Sequence, residues 1–131
     1  MTKPLNLAHS AKLSIIVILA LVVAGCASMG GYGQEDATFT AVEEGGSKVW
    51  KGGGTVDLKG RDSITLKVTN TLGADHGFSI DTMKVQEVIK PGEERTIAVP
   101  RGNIDTSVAE HRVYCQLHPK HVAASLRVTG Q

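Results

Sequence analysis

Seven consecutive residues, Ser63-Ile64-Thr65-Leu66-Lys67-Val68-Thr69, alternate strictly between polar and apolar side chains. Successive side chains on a strand point to opposite faces, whereas a helix gathers every third or fourth residue. An extended strand therefore puts Ile64, Leu66 and Val68 on one buried face, and a helix would scatter them. The same reading applies in shorter pieces along the chain. Residues 38–42, 48–50, 55–58, 85–89, 95–99, 112–115 and 122–128 are each predicted as strands, with Phe78 and Ile80 alternating around Ser79. Gly52-Gly53-Gly54 is expected to break the pattern, and Lys59-Gly60-Arg61-Asp62 reads as a turn. Lys90-Pro91-Gly92-Glu93 suits a type II turn, with Pro and Gly at its two central positions. Residues 101–110 read as loop or a short helix, and no long amphipathic helix follows residue 25. Short strands at regular spacing predict an all-β fold, a sandwich or a small barrel.

The first 25 residues are not expected to join that fold. Lys3 and Lys12 precede an apolar run over residues 13–23, too short to span a membrane as a helix. The run ends in Val23-Ala24-Gly25-Cys26, which resembles the cleavage site of bacterial lipoproteins. That resemblance implies cutting before Cys26 and acylation of its thiol and new amine. The alternative is an ordinary signal peptide cut near Ala27. Each buried methylene of an acyl chain adds about 0.8 kcal/mol, so several chains on one residue anchor stably. The expected location is the bacterial cell envelope, with the domain lipid-anchored and facing the periplasm or the exterior. Residues 26–36 are Gly-rich and aperiodic and read as a tether, leaving residues 37–131 as one domain. Losing 25 of 131 residues leaves 106 and removes two lysines and no acid, so the formal charge falls from +1 to −1. A balance so close to neutral argues against nucleic acid as a partner.

The cysteines are more informative. There are two, and a lipid would take Cys26, so Cys115 has no disulfide partner within the chain. A lone thiol in an oxidising compartment is explained by metal ligation or by inert burial. Its neighbours favour the first. Cys115-Gln-Leu-His118-Pro-Lys-His121 places one thiol and two imidazoles within seven residues, on a loop between two predicted strands. Pro119 restricts the backbone between the histidines. His76, in Asp75-His76-Gly77-Phe78, stands at a strand entry, and Gly77 beside it lets another backbone approach. Cys with His is the donor chemistry of copper or zinc. One Cys and three His would also make an acceptable closed zinc site, so spacing alone does not choose the metal.

Other candidates read as structural. His111 shares the strand parity of Cys115 and is expected in the core. Asp81 and Glu87 read as turn or surface residues, and Trp50 and Tyr114 as packing residues. The triple glycine lacks the Lys-Ser/Thr pair of a phosphate loop. No Ser-His-Asp order or nucleotide fingerprint points to a hydrolase or a nucleotide enzyme.

His76-Gly77-Phe78 and the late Cys115-x-x-His118 resemble the cupredoxins, Greek-key β-sandwiches that bind copper. Within that family Gly77-Phe-Ser-Ile-Asp81, Val85-Gln-Glu-Val-Ile-Lys90 and Cys115-Gln-Leu-His-Pro-Lys120 are similar to the nitrosocyanin-type red copper proteins. The resemblance covers about residues 55–128. It implies a cupredoxin-like Greek-key β-sandwich with one copper ion held by His76, Cys115, His118 and His121. Two departures stand out. Nitrosocyanin-type proteins carry a glutamate ligand where His76 falls, and their second loop histidine lies further along, which makes His121 the least secure of the four. The chain also lacks a Met after the Cys-His loop, and Met83 has no motif placing it at a metal. A fourth imidazole in place of a thioether implies a perturbed, red or green site rather than a blue one.

The resemblance implies an electron carrier more than an enzyme, working with a periplasmic or membrane redox partner. Two alternatives remain open at this point. One is redox chemistry on a small molecule such as nitric oxide or oxygen at an open copper position; the other is copper storage or delivery. Nitrosocyanin-type proteins form trimers, but no interface signal here carries that over, and homo-oligomerisation stays open.

Overall fold

The computed structural model describes residues 33–131. The leader, the Cys26 lipidation site and the first part of the tether lie outside the described residues. The rest forms eight strands: β1 (Ala37–Glu44), β2 (Ser47–Asp57), β3 (Ser63–Asn70), β4 (His76–Ile80), β5 (Val85–Ile89), β6 (Glu94–Pro100), β7 (Glu110–Val113) and β8 (Ala124–Thr129). Two short 3-10 turns, Asp81–Met83 and Arg101–Asn103, complete it. Among the described residues no helix is long and apolar enough to cross a membrane.

The all-β sandwich expected from the sequence is what forms. Six strands hydrogen-bond in the order β6-β3-β1-β2-β8-β7, and β4 and β5 make a separate hairpin. A bridge between Ser79 and Tyr114 joins β4 to the segment after β7. β1 runs parallel to β3, and β2 parallel to β8. Tight hairpins cannot join parallel neighbours, so the chain must cross between the two faces in Greek-key fashion. Phe39 on β1 meets Phe78 on β4 with ring centroids 5.3 Å apart, and Trp50 meets Phe78 edge-on at 5.1 Å. These aromatic contacts tie the faces together through the core. Ile64, Leu66 and Val68 are fully buried, as their alternation predicts. Phe39 and Ala41 on β1 and Leu126 and Val128 on β8 follow the same period.

The triple glycine corrects the sequence reading. It does not end a strand; β2 runs straight through it. The first half of β2 pairs with β1 as far as Gly53, and the second half pairs with β8 from Gly54. The strand thus changes partners over three residues with φ of 125°, 103° and 124°. Side chains rarely adopt such angles, and at the first two positions there is also no room for one. A Cβ on Gly52 would lie 2.0 Å from the Thr38 carbonyl oxygen, and one on Gly53 would lie 2.2 Å from that of Ser125. The turn at Lys90–Glu93 forms as expected, with the Glu93 N–H donating to the Lys90 carbonyl at 3.0 Å.

Gly53→Ala is expected to cost about 3 kcal/mol, from clash and strain together. Gly54→Ala, strained but with nothing within 4 Å of its Cβ, should cost about 1 kcal/mol. Urea unfolding of both variants checks this, and equal losses would show that the contact with Ser125 does not matter.

Candidate metal centre

The site is built where β4 begins and where the chain leaves β7. Cys115 to His121 folds as two successive tight turns. The His118 N–H donates to the Cys115 carbonyl at 3.3 Å, and the His121 N–H to the His118 carbonyl at 3.0 Å. Pro119 occupies the first central position of the second turn, where its fixed φ is favourable. Each turn brings a side chain back towards the same point, which an extended strand with this spacing would not do. Val122 then bridges to Val49, and its N–H donates to the Lys48 carbonyl at 2.9 Å, which closes the loop against β2.

His76 arrives from the other side. Asn70, fully buried at the end of β3, organises the loop that leads to it. Its side-chain amide donates to the carbonyls of Ala74 and Ile89, each at 2.8 Å, and its oxygen accepts from the Leu72 N–H at 2.9 Å. Trp50 packs edge-on against the His76 ring at 5.9 Å and donates its indole N–H to the Gly77 carbonyl at 2.9 Å. The reading of Trp50 as a packing residue therefore holds, and what it packs is the site.

β4 is fastened to the loop directly. Ser79 and Tyr114 exchange backbone hydrogen bonds at 2.9 and 3.0 Å. Gln116 accepts from the Ser79 hydroxyl at 2.8 Å and donates to the Glu87 carbonyl at 2.8 Å. Gly77 permits this approach: a Cβ there would meet the Gln116 side-chain oxygen at 2.1 Å. The Gly77 N–H in turn donates to the Cys115 sulfur at 3.2 Å.

Of the four sequence candidates, His76, Cys115 and His121 each offer a donor atom within 4.8 Å of the others. His118 stands beside them, its Nδ1 3.6 Å from the Cys115 sulfur. The rings of His76 and His121 stack at 4.6 Å, and those of His118 and His121 at 4.5 Å. His76 and Cys115 are buried, His121 is half-buried and His118 is exposed. His121, the least secure candidate from sequence, sits as centrally as the others. Met83 is buried in its 3-10 turn.

The electrostatics are those of neutral donors. Both ring nitrogens of His76 and Nδ1 of His121 are buried without a hydrogen-bond partner. Burial lowers the pKa of His76, against a smaller upward pull from the Ala74 backbone; the neighbouring His118 and Lys48 lower it further. Burial likewise lowers that of His121, helped by His76, His118 and Lys48. A neutral imidazole and a thiol that can ionise are the forms a borderline or soft metal binds. The residues fit such an ion on their donor chemistry and on their unpartnered nitrogens.

His111 is not part of the cluster. It is fully buried, and its Nδ1 lies 2.7 Å from the Thr82 hydroxyl, in keeping with a structural role. Tyr114 hydrogen-bonds Asp81 at 2.8 Å, and Glu87 pairs with Arg95 at 2.7 Å. Asn70 and Gln116 were missed as positioning residues. A polar side chain at the inward parity of β3 was the available signal for Asn70; nothing local marked Gln116.

No protein-family model matches the chain, and no curated protein matches its sequence. Solved structures similar to it include a laccase from Pediococcus acidilactici Pa5930, with 16% identity over 70% of this chain and a TM-score of 0.48. The laccase-like multicopper oxidase CueO from Ochrobactrum sp. shares 18% over 70%, with a TM-score of 0.49. A multicopper oxidase from Campylobacter jejuni shares 15% over 70%, with a TM-score of 0.48. The chain spans about a quarter of the length of each: 25%, 26% and 25%. Similarity at this level assigns the chain neither a family nor an activity.

The metal-free protein should lose stability as pH falls through about 6.5. His76, His111 and His121 have pKa values lowered by burial in the fold. The unfolded chain therefore takes up their protons first, and their contribution, complete above the unfolded value, is lost below it. The carboxylates held low, Glu93 by the Lys90 amide and Asp105 by the Ser107 hydroxyl, lose theirs only nearer pH 4. Urea midpoints at pH 7.5 and pH 5 read the difference, and equal midpoints would contradict it.

Proposed function

We propose that this chain is a mononuclear copper protein of the bacterial cell envelope that carries single electrons. The observation behind this reading is the convergence of Cys115 with three histidines from a distant strand and one loop, with buried imidazole nitrogens left unpartnered. A buried polar atom without a partner costs about 1–3 kcal/mol, so several in one place call for an ion to complete them. His76, Cys115, His118 and His121 would hold it. When bound, copper supplies a one-electron couple.

The resemblance of the His76-Gly77-Phe78 and Cys115-Gln-Leu-His118 segments to cupredoxins, and to the nitrosocyanin type in particular, favours copper over zinc. The chain's own residues suit the role. Turn hydrogen bonds, the Ser79–Tyr114 pair and the Asn70 network hold the donors on rigid backbone, so a change of charge needs little rearrangement. The Gly77 N–H aimed at the Cys115 sulfur would tune the couple by sharing the thiolate charge. His118, exposed at the loop, is the natural exit for an electron to a periplasmic or membrane partner. A lipid on Cys26 would keep the domain near such partners. A second reading, redox chemistry on a small molecule, gains from a cavity beside Cys115 and His121.

Adding Cu(II) to the full chain should give a visible thiolate-to-copper band at one equivalent. Cys115→Ser should abolish it, and His121→Ala should shift it. Electron paramagnetic resonance should show a copper hyperfine splitting larger than that of a blue site. A colourless complex, or colour retained without Cys115, would remove the copper reading; a small splitting would remove only the perturbed geometry.

A further inference from the structure

A cavity of about 300 Å³ lies against the ligand loop, lined by Arg112, Tyr114, Cys115, Gln116, Pro119 and His121. Two of its walls are thus members of the metal cluster. No carboxylate lines it. Arg112 is exposed on β7, with its guanidinium carbon 5.0 Å from the centre of the Tyr114 ring. It makes no salt bridge among the described residues, whereas Arg61 and Arg95 are both committed to acids. Stacking holds the guanidinium plane while leaving its N–H groups free to donate. Gln116 is engaged with Ser79 and Glu87, and the Tyr114 hydroxyl with Asp81. Beside the unpartnered imidazole of His121, Arg112 is the free cation of the cavity, and its chemistry suits an anion.

We propose that this cavity binds a small inorganic anion, held by the Arg112 guanidinium against the Cys115–His121 loop. At about 30 Å³ per water the cavity has the volume of roughly ten waters, room for a triatomic anion that keeps much of its hydration. The site does not depend on the metal, but the proposed copper would strengthen it, because a divalent ion beside a single thiolate leaves a net positive centre. In that sense the proposal extends the reading of the site as a copper centre and gives it an exogenous ligand class.

Sodium azide is the probe, at fixed ionic strength. In the copper-loaded full chain it should shift the thiolate-to-copper band saturably. Arg112→Gln should bind about tenfold more weakly, while Lys67→Gln, which removes a cation on β3, should match the parent. In the metal-free chain, amide resonances of Tyr114, Gln116 and His121 should move saturably with azide, and less so in Arg112→Gln. Absence of shifts in both forms overturns the anion site, as does equal affinity in Arg112→Gln. Azide-dependent amide shifts in a chain that gives no copper band would leave the anion site standing and remove the copper reading instead.

Discussion

The fastening of β4 to the segment after β7 is the constraint on which the site depends. It consists of two backbone hydrogen bonds between Ser79 and Tyr114 and one from the Ser79 hydroxyl to the Gln116 side chain, which also donates to Glu87 on β5. His76 and Cys115 are far apart in sequence and belong to elements that share no regular ladder beyond this bridge. The bridge brings a strand-borne imidazole to a loop-borne sulfur, and β2 holds both sides through Trp50 and through its contact with Val122. Gly77 is the condition for it, since any side chain there would collide with Gln116 before the strands could meet. One residue thus admits the neighbouring backbone and supplies the N–H that the sulfur accepts.

The energetics of the cluster run against most of the fold. Elsewhere, His111 Nε2 apart, the buried polar side chains of the described residues have partners; Asn70 uses both ends of its amide, and the half-buried Asp36 accepts from Arg61 and from the Thr65 N–H. At the cluster, the stacked rings of His76 and His121 bury three nitrogens that have no hydrogen-bond partner. Local sacrifice of stability within an otherwise consistent fold is the usual mark of a functional site.

The strands were legible because the hydrophobic alternation of residues 63–69 and the spacing of turn residues are local signals. The four candidate ligands were legible because Cys and His carry their chemistry in their identity. Two things were not. The triple glycine was read as a break, since composition distinguishes a chain terminator from a bend only through the partners on either side, here β1 and β8. The support of His76 by Asn70, Trp50 and Gln116 depends on contacts between residues 4 to 37 positions apart, set by topology rather than by pattern. The structure also changes the balance among the histidines: His121, the least secure by motif, sits within the donor cluster, while His118 is the most exposed of them.

Asp36 has a consequence beyond its ion pair. Its carboxylate grips Arg61 and the Thr65 amide, and its own N–H donates to the Thr65 carbonyl, immediately before β1 begins. β1 is an interior strand, paired on one side with β2 and on the other with β3. Any pull entering the domain from its N-terminal side must therefore shear a doubly bonded strand, not peel an edge. A domain fixed to a surface by that end would transmit drag and thermal tugging into a strand bonded on both sides, separated from the loop that carries the donors only by β2.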